Sequence, residues 1–280
     1  MTRFAASVVL SGLLLGCAAT ENNRQQSDWP PAEWLVPLSE AEQLEVEAIQ
    51  ATGLLLYTKD QYAARASRAL MRAADLHRYP NFAGWIGQQA GEDYVVSFFE
   101  LEEDTISLIA DVRFDADDEV SVSVEPQRHI TERERSMLRA RMAALEAGWN
   151  DCSDRFNTVV LPAPDDQDYW EVYVLAATTV FDLMVVGGHR RVEVDEQTGS
   201  IRHVQALSNT CMNMDVSQAV GEGGERGLLA MTQVVAPMPL AIYPLLSLMH
   251  EIPIVLMTDR GRWLVSGDQI RFLNCRQADC

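Results

Sequence analysis

The spacing of apolar positions changes several times along this chain, and each change marks an element. Phe4–Leu15 is a nearly unbroken apolar run, too short to span a bilayer, which takes roughly 20 apolar residues. Ser39-Glu40-Ala41-Glu42 has the form of a capping box, a side-chain oxygen followed three residues on by a carboxylate. It predicts a helix to about Gln50, broken at Gly53. Thr58-Lys59-Asp60-Gln61 is a second capping signal, after which Tyr62, Ala66, Leu70, Ala73 and Leu76 recur at helical spacing. Pro80 bounds that helix. Thr131-Glu132-Arg133-Glu134 opens a third helix, with Leu138, Met142, Leu145 and Trp149 on one face and a stop at Gly148. Leu240–Met249 is an almost wholly apolar helical stretch.

Between these helices the pattern is that of strands. Tyr94–Leu101 and Thr105–Phe114 are rich in β-branched and aromatic residues, and Val120, Val122 and Val124 alternate with polar neighbours. Asp115–Glu119 is the turn between two of these strands. Phe156–Leu161, Tyr169–Ala176 and Val180–Val194 follow, the last interrupted by a bulge or bend at Gly187-Gly188. Val194-Asp195-Glu196-Gln197-Thr198-Gly199-Ser200-Ile201 reads as a hairpin with a bulged turn. Residues 221–227 are glycine-rich loop. Ile254–Thr258, Trp263–Val265 and Ile270–Leu273 close the chain as short strands. Helices alternating with groups of antiparallel strands give an α+β class, antiparallel sheets of short strands with several packed helices. No parallel crossover is needed. Residues 34–280 read as one domain, and Pro126–Ile130 is the place where it would divide.

Leu14-Leu15-Gly16-Cys17 closes the N-terminal apolar run, and Arg3 gives that run a positive start. The segment resembles a bacterial lipobox. The resemblance implies export, removal of a signal peptide over residues 1–16 and acylation of Cys17, which becomes the chain's contact with the membrane. Each buried acyl methylene contributes about 0.8 kcal/mol, so two or more chains anchor a protein stably. Ala18 in place of Asp implies the outer membrane, facing the periplasm. Polar residues 17–33 then read as a flexible tether.

Charge and residue usage narrow the function classes. The formal net charge is −19, and loss of residues 1–16 removes only the positive Arg3. Such a chain is repelled by nucleic acid and by anionic headgroups. Lys59 is the single lysine, which excludes a P-loop and a Ser-x-x-Lys nucleophile. It reads as a surface residue at a helix start. There is no Gly-x-Ser-x-Gly elbow, and His250-Glu251 is followed by Ile254 where a zincin needs histidine. Cys152, Cys211, Cys275 and Cys280 remain after Cys17. An oxidising compartment permits disulfides, and four cysteines allow three pairings. Cys152–Cys211 with Cys275–Cys280 is the expected set. No Cys-x-x-Cys is present and no histidine lies at ligand spacing from a cysteine, so no metal site is expected. No motif calls for a cofactor.

Two further resemblances are local. Val194, Asp195, Thr198, Gly199 and Ile201, behind the helix at 131–149, resemble the helix-plus-hairpin of PepSY-type and cystatin-like modules. Gly53-Leu-Leu-Leu-Tyr57, Gly187-Gly188-His189-Arg190 and Pro253-Ile-Val-Leu with Trp263 resemble segments of uncharacterised exported proteobacterial lipoproteins, which bring no activity with them.

Candidate chemistry is sparse. Gly187-Gly188 permits close backbone approach, and His189, Arg190 and Arg191 have the chemistry to bind a carboxylate or phosphate. The plainer reading is a strand bulge followed by solvent-facing charges. Asp115–Glu119 offers hard oxygen ligands for Ca²⁺ but lacks the EF-hand glycine and spacing; an acidic turn is the plainer reading. His77 and His129 lie at element ends and His203 on a strand. Segment 240–249 is core if covered, and a partner or lipid contact if not. The preferred reading is a non-enzymatic, lipid-anchored envelope module that binds a protein partner or a small ligand, through a sheet face or the surface near 240–250. The alternative is an envelope hydrolase with a dispersed site, for which His189, His203 and the acids near Asp195 are first suspects.

Overall fold

The computed structural model describes residues 30–274 except 104, 149–151, 165–166, 181 and 220–226. The signal, Cys17, Cys275 and Cys280, with most of the tether and of the 221–227 loop, therefore lie outside the described residues. The fold is α+β, with three α-helices and fourteen strands among the described residues. No described helix is long and apolar enough to cross a membrane.

Helix α1 (Glu40–Ala73) starts at the expected capping box: Ser39 Oγ accepts the Glu42 amide, and the Glu42 carboxylate accepts the Ser39 amide. It then runs for 34 residues without a break, which corrects the expectation of two helices. Gly53 does not end the helix. It faces helix α3 (Ile242–His250) at a close crossing, where a Cβ would lie 2.6 Å from Pro244 Cβ and 2.9 Å from the Ala241 carbonyl. Tertiary packing at that crossing offsets the ~1 kcal/mol that glycine costs a helix interior. Thr58 is no cap either; its hydroxyl donates to the Leu54 carbonyl within the helix. Lys59 therefore lies mid-helix, where its ammonium sits 4.7 Å from the Tyr94 ring centroid and donates to Tyr94 Oη.

The first sheet is an antiparallel meander, β1 (Phe82–Ala90), β2 (Asp93–Glu102), β3 (Thr105–Phe114) and β4 (Val120–Val124), in the order β1-β2-β3-β4. Strand β1 escapes the sequence pattern because it contains two glycines, one packed against the Arg141 guanidinium and the other against the Tyr94 hydroxyl. The second sheet comprises β5 (Phe156–Pro162), β6 (Tyr169–Ala176), β8 (Arg190–Asp195) and β9 (Ile201–Ala206), again fully antiparallel and in chain order. A small ribbon of β7 (Leu183–Val185) and β10 (Asn213–Asp215) hangs beside it. The hairpin between β8 and β9 is bulged as expected, and Gly199 takes φ +71° in its turn.

The third sheet has the order β11 (Leu229–Thr232), β12 (Ile254–Thr258), β13 (Gly261–Ser266), β14 (Gln269–Leu273). Strands β11 and β12 are parallel and α3 crosses between them. This corrects the expectation that no parallel crossover is present. β11 is only four residues long and follows a glycine-rich loop, so its period is too brief to read.

Helix α2 (Glu132–Glu146) repeats the logic of α1: a capping box, Thr131 with Glu134, followed in sequence by a four-stranded antiparallel sheet. Its apolar face, with Leu138 and Ala144, packs on Trp170, Val172, Val192 and Val194 of the second sheet. The opposite face of that sheet, with Val159, Leu161, Tyr173 and Leu175, packs against α1, α3 and the third sheet. The C-terminal half of α1 covers the first sheet through Ala66, Ala69 and Leu70. In the segment 126–130, Arg128 joins Asp111 of β3 to Glu134 of α2, at 2.7 Å each.

Candidate functional site

The Gly187–Arg191 cluster is buried, and its side chains diverge. A Cβ on Gly187 would strike the backbone of Thr210–Met212, and one on Gly188 would lie 2.6 Å from Cys152 Cβ. Gly188 also has φ +82°, which favours glycine. The two glycines thus make room for the disulfide Cys152–Cys211, which joins residues 59 apart in sequence. His189 is 2% exposed. Its Nδ1 accepts the Ala176 amide at 3.1 Å, and its Nε2 donates to the Val185 carbonyl at 2.9 Å. Both ring nitrogens are therefore occupied by backbone groups. Burial pushes the imidazole down to about 4, so the ring is neutral at pH 7.

The two arginines leave the strand on opposite faces, as the period of two requires. Arg190 turns under α2 and donates to the carbonyls of Ala144 and Leu145 in the last turn of that helix, where a cation meets the negative end of the dipole. Arg191 on the other face forks between Glu171 and Glu193, at 2.9 and 3.0 Å. His189, Arg190 and Arg191 therefore form neither solvent-facing charges nor a joint anion site. The triple His189, His203 and Asp195 does not converge either. Asp195 lies six residues along β8 from His189, about 20 Å at strand rise, and His203 is exposed opposite Glu193. His77 and His129 are exposed. Asp115–Glu119 is an exposed turn in which Asp115 accepts the amides of Asp117 and Glu119, while Asp118 pairs with Arg65. No metal-holding group of three His, Cys, Asp or Glu occurs among the described residues. Segment 240–249 is covered over most of its length: Ile242, Tyr243, Leu245 and Leu246 are core and Met249 is its exposed residue, so it offers no broad docking surface.

What the structure does assemble is a cavity of about 450 Å³ between α1, α3 and the open end of the second sheet. Asp60 of α1 faces this space, and Leu175, Val185, Val216, Leu245, Leu246 and Ile252 wall it. The backbone of the His189 clasp forms one side, holding the end of β6 to β7. The polar groups are few. Asp60 projects from α1 and is 6% exposed. Its Oδ1 accepts from Asn157 Nδ2 at 2.9 Å. Burial raises the Asp60 carboxyl above the ordinary aspartate range, and the Asn157 bond only partly offsets that. At the rim stand Asp182, His250 and Glu251. Asp182 (φ 60°) and Glu251 (φ 52°) are two of the five non-glycine residues with left-handed backbone among those described; Glu251 is the C-cap of α3.

In the sequence, Asp60 is hidden within Thr58-Lys59-Asp60-Gln61, where it reads as part of a cap. The signal that finds it is its period: with Leu56 and Ala63 it lies on the buried stripe of α1. A carboxylate on such a stripe demands a partner or a purpose.

No family model matches this chain, and no curated protein does. Among solved structures, the Bacillus megaterium YpeB C-terminal domain aligns with it at 15% identity and a TM-score of 0.18, covering 53% of this chain. The chain spans 65% of that domain's length, less than two thirds.

Proposed function

We propose that this protein is a non-enzymatic binding module, held at the cell envelope by an acylated Cys17, that takes a small and mainly apolar ligand in the cavity between α1 and α3. The observation that carries the reading is the cavity itself: about 450 Å³, walled by aliphatic side chains, with the buried Asp60 carboxyl as its one deeply set charge. Such volume and lining are typical of small-molecule sites. The lipobox-like segment at Leu14–Cys17 supports the anchor, and the Cys152–Cys211 disulfide suits an oxidising compartment. The occupation of both His189 nitrogens speaks against that histidine as a hydrolytic base.

The test is extraction. The full chain is purified from membranes, its bound small molecules are released with solvent and identified by mass spectrometry, and the same is done for Met249→Trp. Met249 lines the cavity at 39% exposure, so a tryptophan there obstructs the mouth without entering the core. A stoichiometric small molecule, lost in Met249→Trp, is expected. Equal recovery from both proteins overturns the cavity as the site. For the anchor, Cys17→Ser is expected to move the protein from the membrane fraction to the soluble fraction.

A further inference from the structure

We propose that the ligand of this cavity is an organic cation, an amine with an apolar body whose ammonium pairs with Asp60. The inference rests on the cavity being a binding site, and it adds the charge and chemical class of the occupant.

Acidic groups dominate the charges that line the space. Asp60, Asp182 and Glu251 are acidic, and no lysine or arginine is among the lining residues. His189 supplies no charge, since its ring is neutral and fully engaged. His250 is the remaining titratable group at the rim. The last turn of α3 also borders the cavity through Met249, His250 and Glu251, and the negative end of a helix dipole favours a cation.

Asp60 is the deepest of these acids. Oδ1 takes the Asn157 amide; Oδ2 accepts no hydrogen bond from the described residues. The neighbouring cation does not serve it: Lys59 is committed to the Tyr94 ring and hydroxyl on another side of α1. A buried carboxylate without a charged partner bears a desolvation penalty, and the raised carboxyl of Asp60 reflects that penalty. An ammonium at Oδ2 offers both the counter-charge and the hydrogen bond, and the aliphatic walls accept its carbon body. A carboxylate or phosphate ligand would meet three acids and is disfavoured.

The experiment uses three probes of one shape: 4-phenylbutylamine, 4-phenylbutanol and 4-phenylbutyrate. Each is titrated calorimetrically into the full acylated chain in nanodiscs of zwitterionic lipid, with empty nanodiscs as blank. The amine is expected to bind at least tenfold more tightly than the alcohol, with the carboxylate weakest. Asp60→Asn is expected to abolish the preference for the amine while keeping the alcohol, and Asp60→Glu to restore part of it; melting curves confirm that both variants fold. Equal binding of amine and alcohol, or a preference that survives Asp60→Asn, overturns the cation proposal and leaves the cavity reading intact. If the alcohol and the amine both fail to bind, or bind Met249→Trp as well as the parent, the cavity reading fails and the cation proposal with it.

Discussion

The imidazole of His189 accepts the backbone amide of Ala176 through Nδ1 at 3.1 Å. Through Nε2 it donates to Val185, so one ring closes the end of β6 onto the ribbon beside it. The ring must be neutral to do this, because Nδ1 is an acceptor. With the folded value near 4 and the unfolded value near 6.5, the unfolded chain takes up the proton first. The stabilisation is complete above pH 6.5 and is lost as pH falls towards 4. The shift corresponds to about 3 kcal/mol. Urea midpoints of the parent and of His189→Asn, compared from pH 7.5 to 4, should converge as pH falls; a constant gap between them would falsify the neutral clasp.

Behind that clasp, Gly188 packs on Cys152, so the disulfide and the glycine pair form one joint. The bond spans 59 residues of sequence, and the chain-entropy account assigns a loop of that length about 4 kcal/mol. Cys152→Ala with Cys211→Ala should lower the melting temperature by roughly 10 °C. Because the joint supports the β6 end of the cavity wall, ligand affinity should fall as well. A double variant that melts with the parent would show that the bond constrains nothing.

Local chemistry is legible in this sequence, and long-range chemistry is not. The capping boxes at Ser39 and Thr131 and the Asp195–Gly199 turn involve neighbours only, and each forms as its residues predict. Gly53 reads as a breaker because the sequence does not show Pro244 pressed against it. Strand β1 is hidden by glycines that exist to admit Arg141 and Tyr94. His189 and the two arginines have the right chemistry for a site, yet strand alternation and the disulfide decide where they point. Asp60 carries a signal in its helical period, but only the folded arrangement of α3 and the second sheet around it reveals what it faces.

The crossing at Gly53 yields a prediction with an unusual sign. In an exposed helix, Gly→Ala stabilises by about 1 kcal/mol. Here the added methyl would meet Pro244 Cβ and the Ala241 carbonyl within 3 Å, and overpacking costs about 1–3 kcal/mol. Gly53→Ala should therefore destabilise the protein in equilibrium urea unfolding, and it should widen the gap between α1 and α3 enough to weaken ligand binding. A gain in stability would mean that the helices are not held this closely.

Asp60 should respond to pH in the direction opposite to His189. Its carboxyl is raised in the folded protein from an ordinary value of 3.8, so the folded state holds the proton more tightly than the unfolded chain does. The carboxyl therefore opposes folding least at low pH, and stability is lost as pH rises through 3.8 towards the folded value. Asp60→Asn removes the charge and keeps a group that can hydrogen-bond Asn157. The variant should be more stable than the parent at pH 7, with the difference vanishing by pH 3, as read from urea midpoints at the two pH values. Saturating amine should then reverse the order at pH 7, because only the parent gains a paired charge and binding to the folded state adds to its stability. If Asp60→Asn is the less stable protein at pH 7 without ligand, Asp60 already has a charged partner in the free protein, and the cavity has no need of a cation.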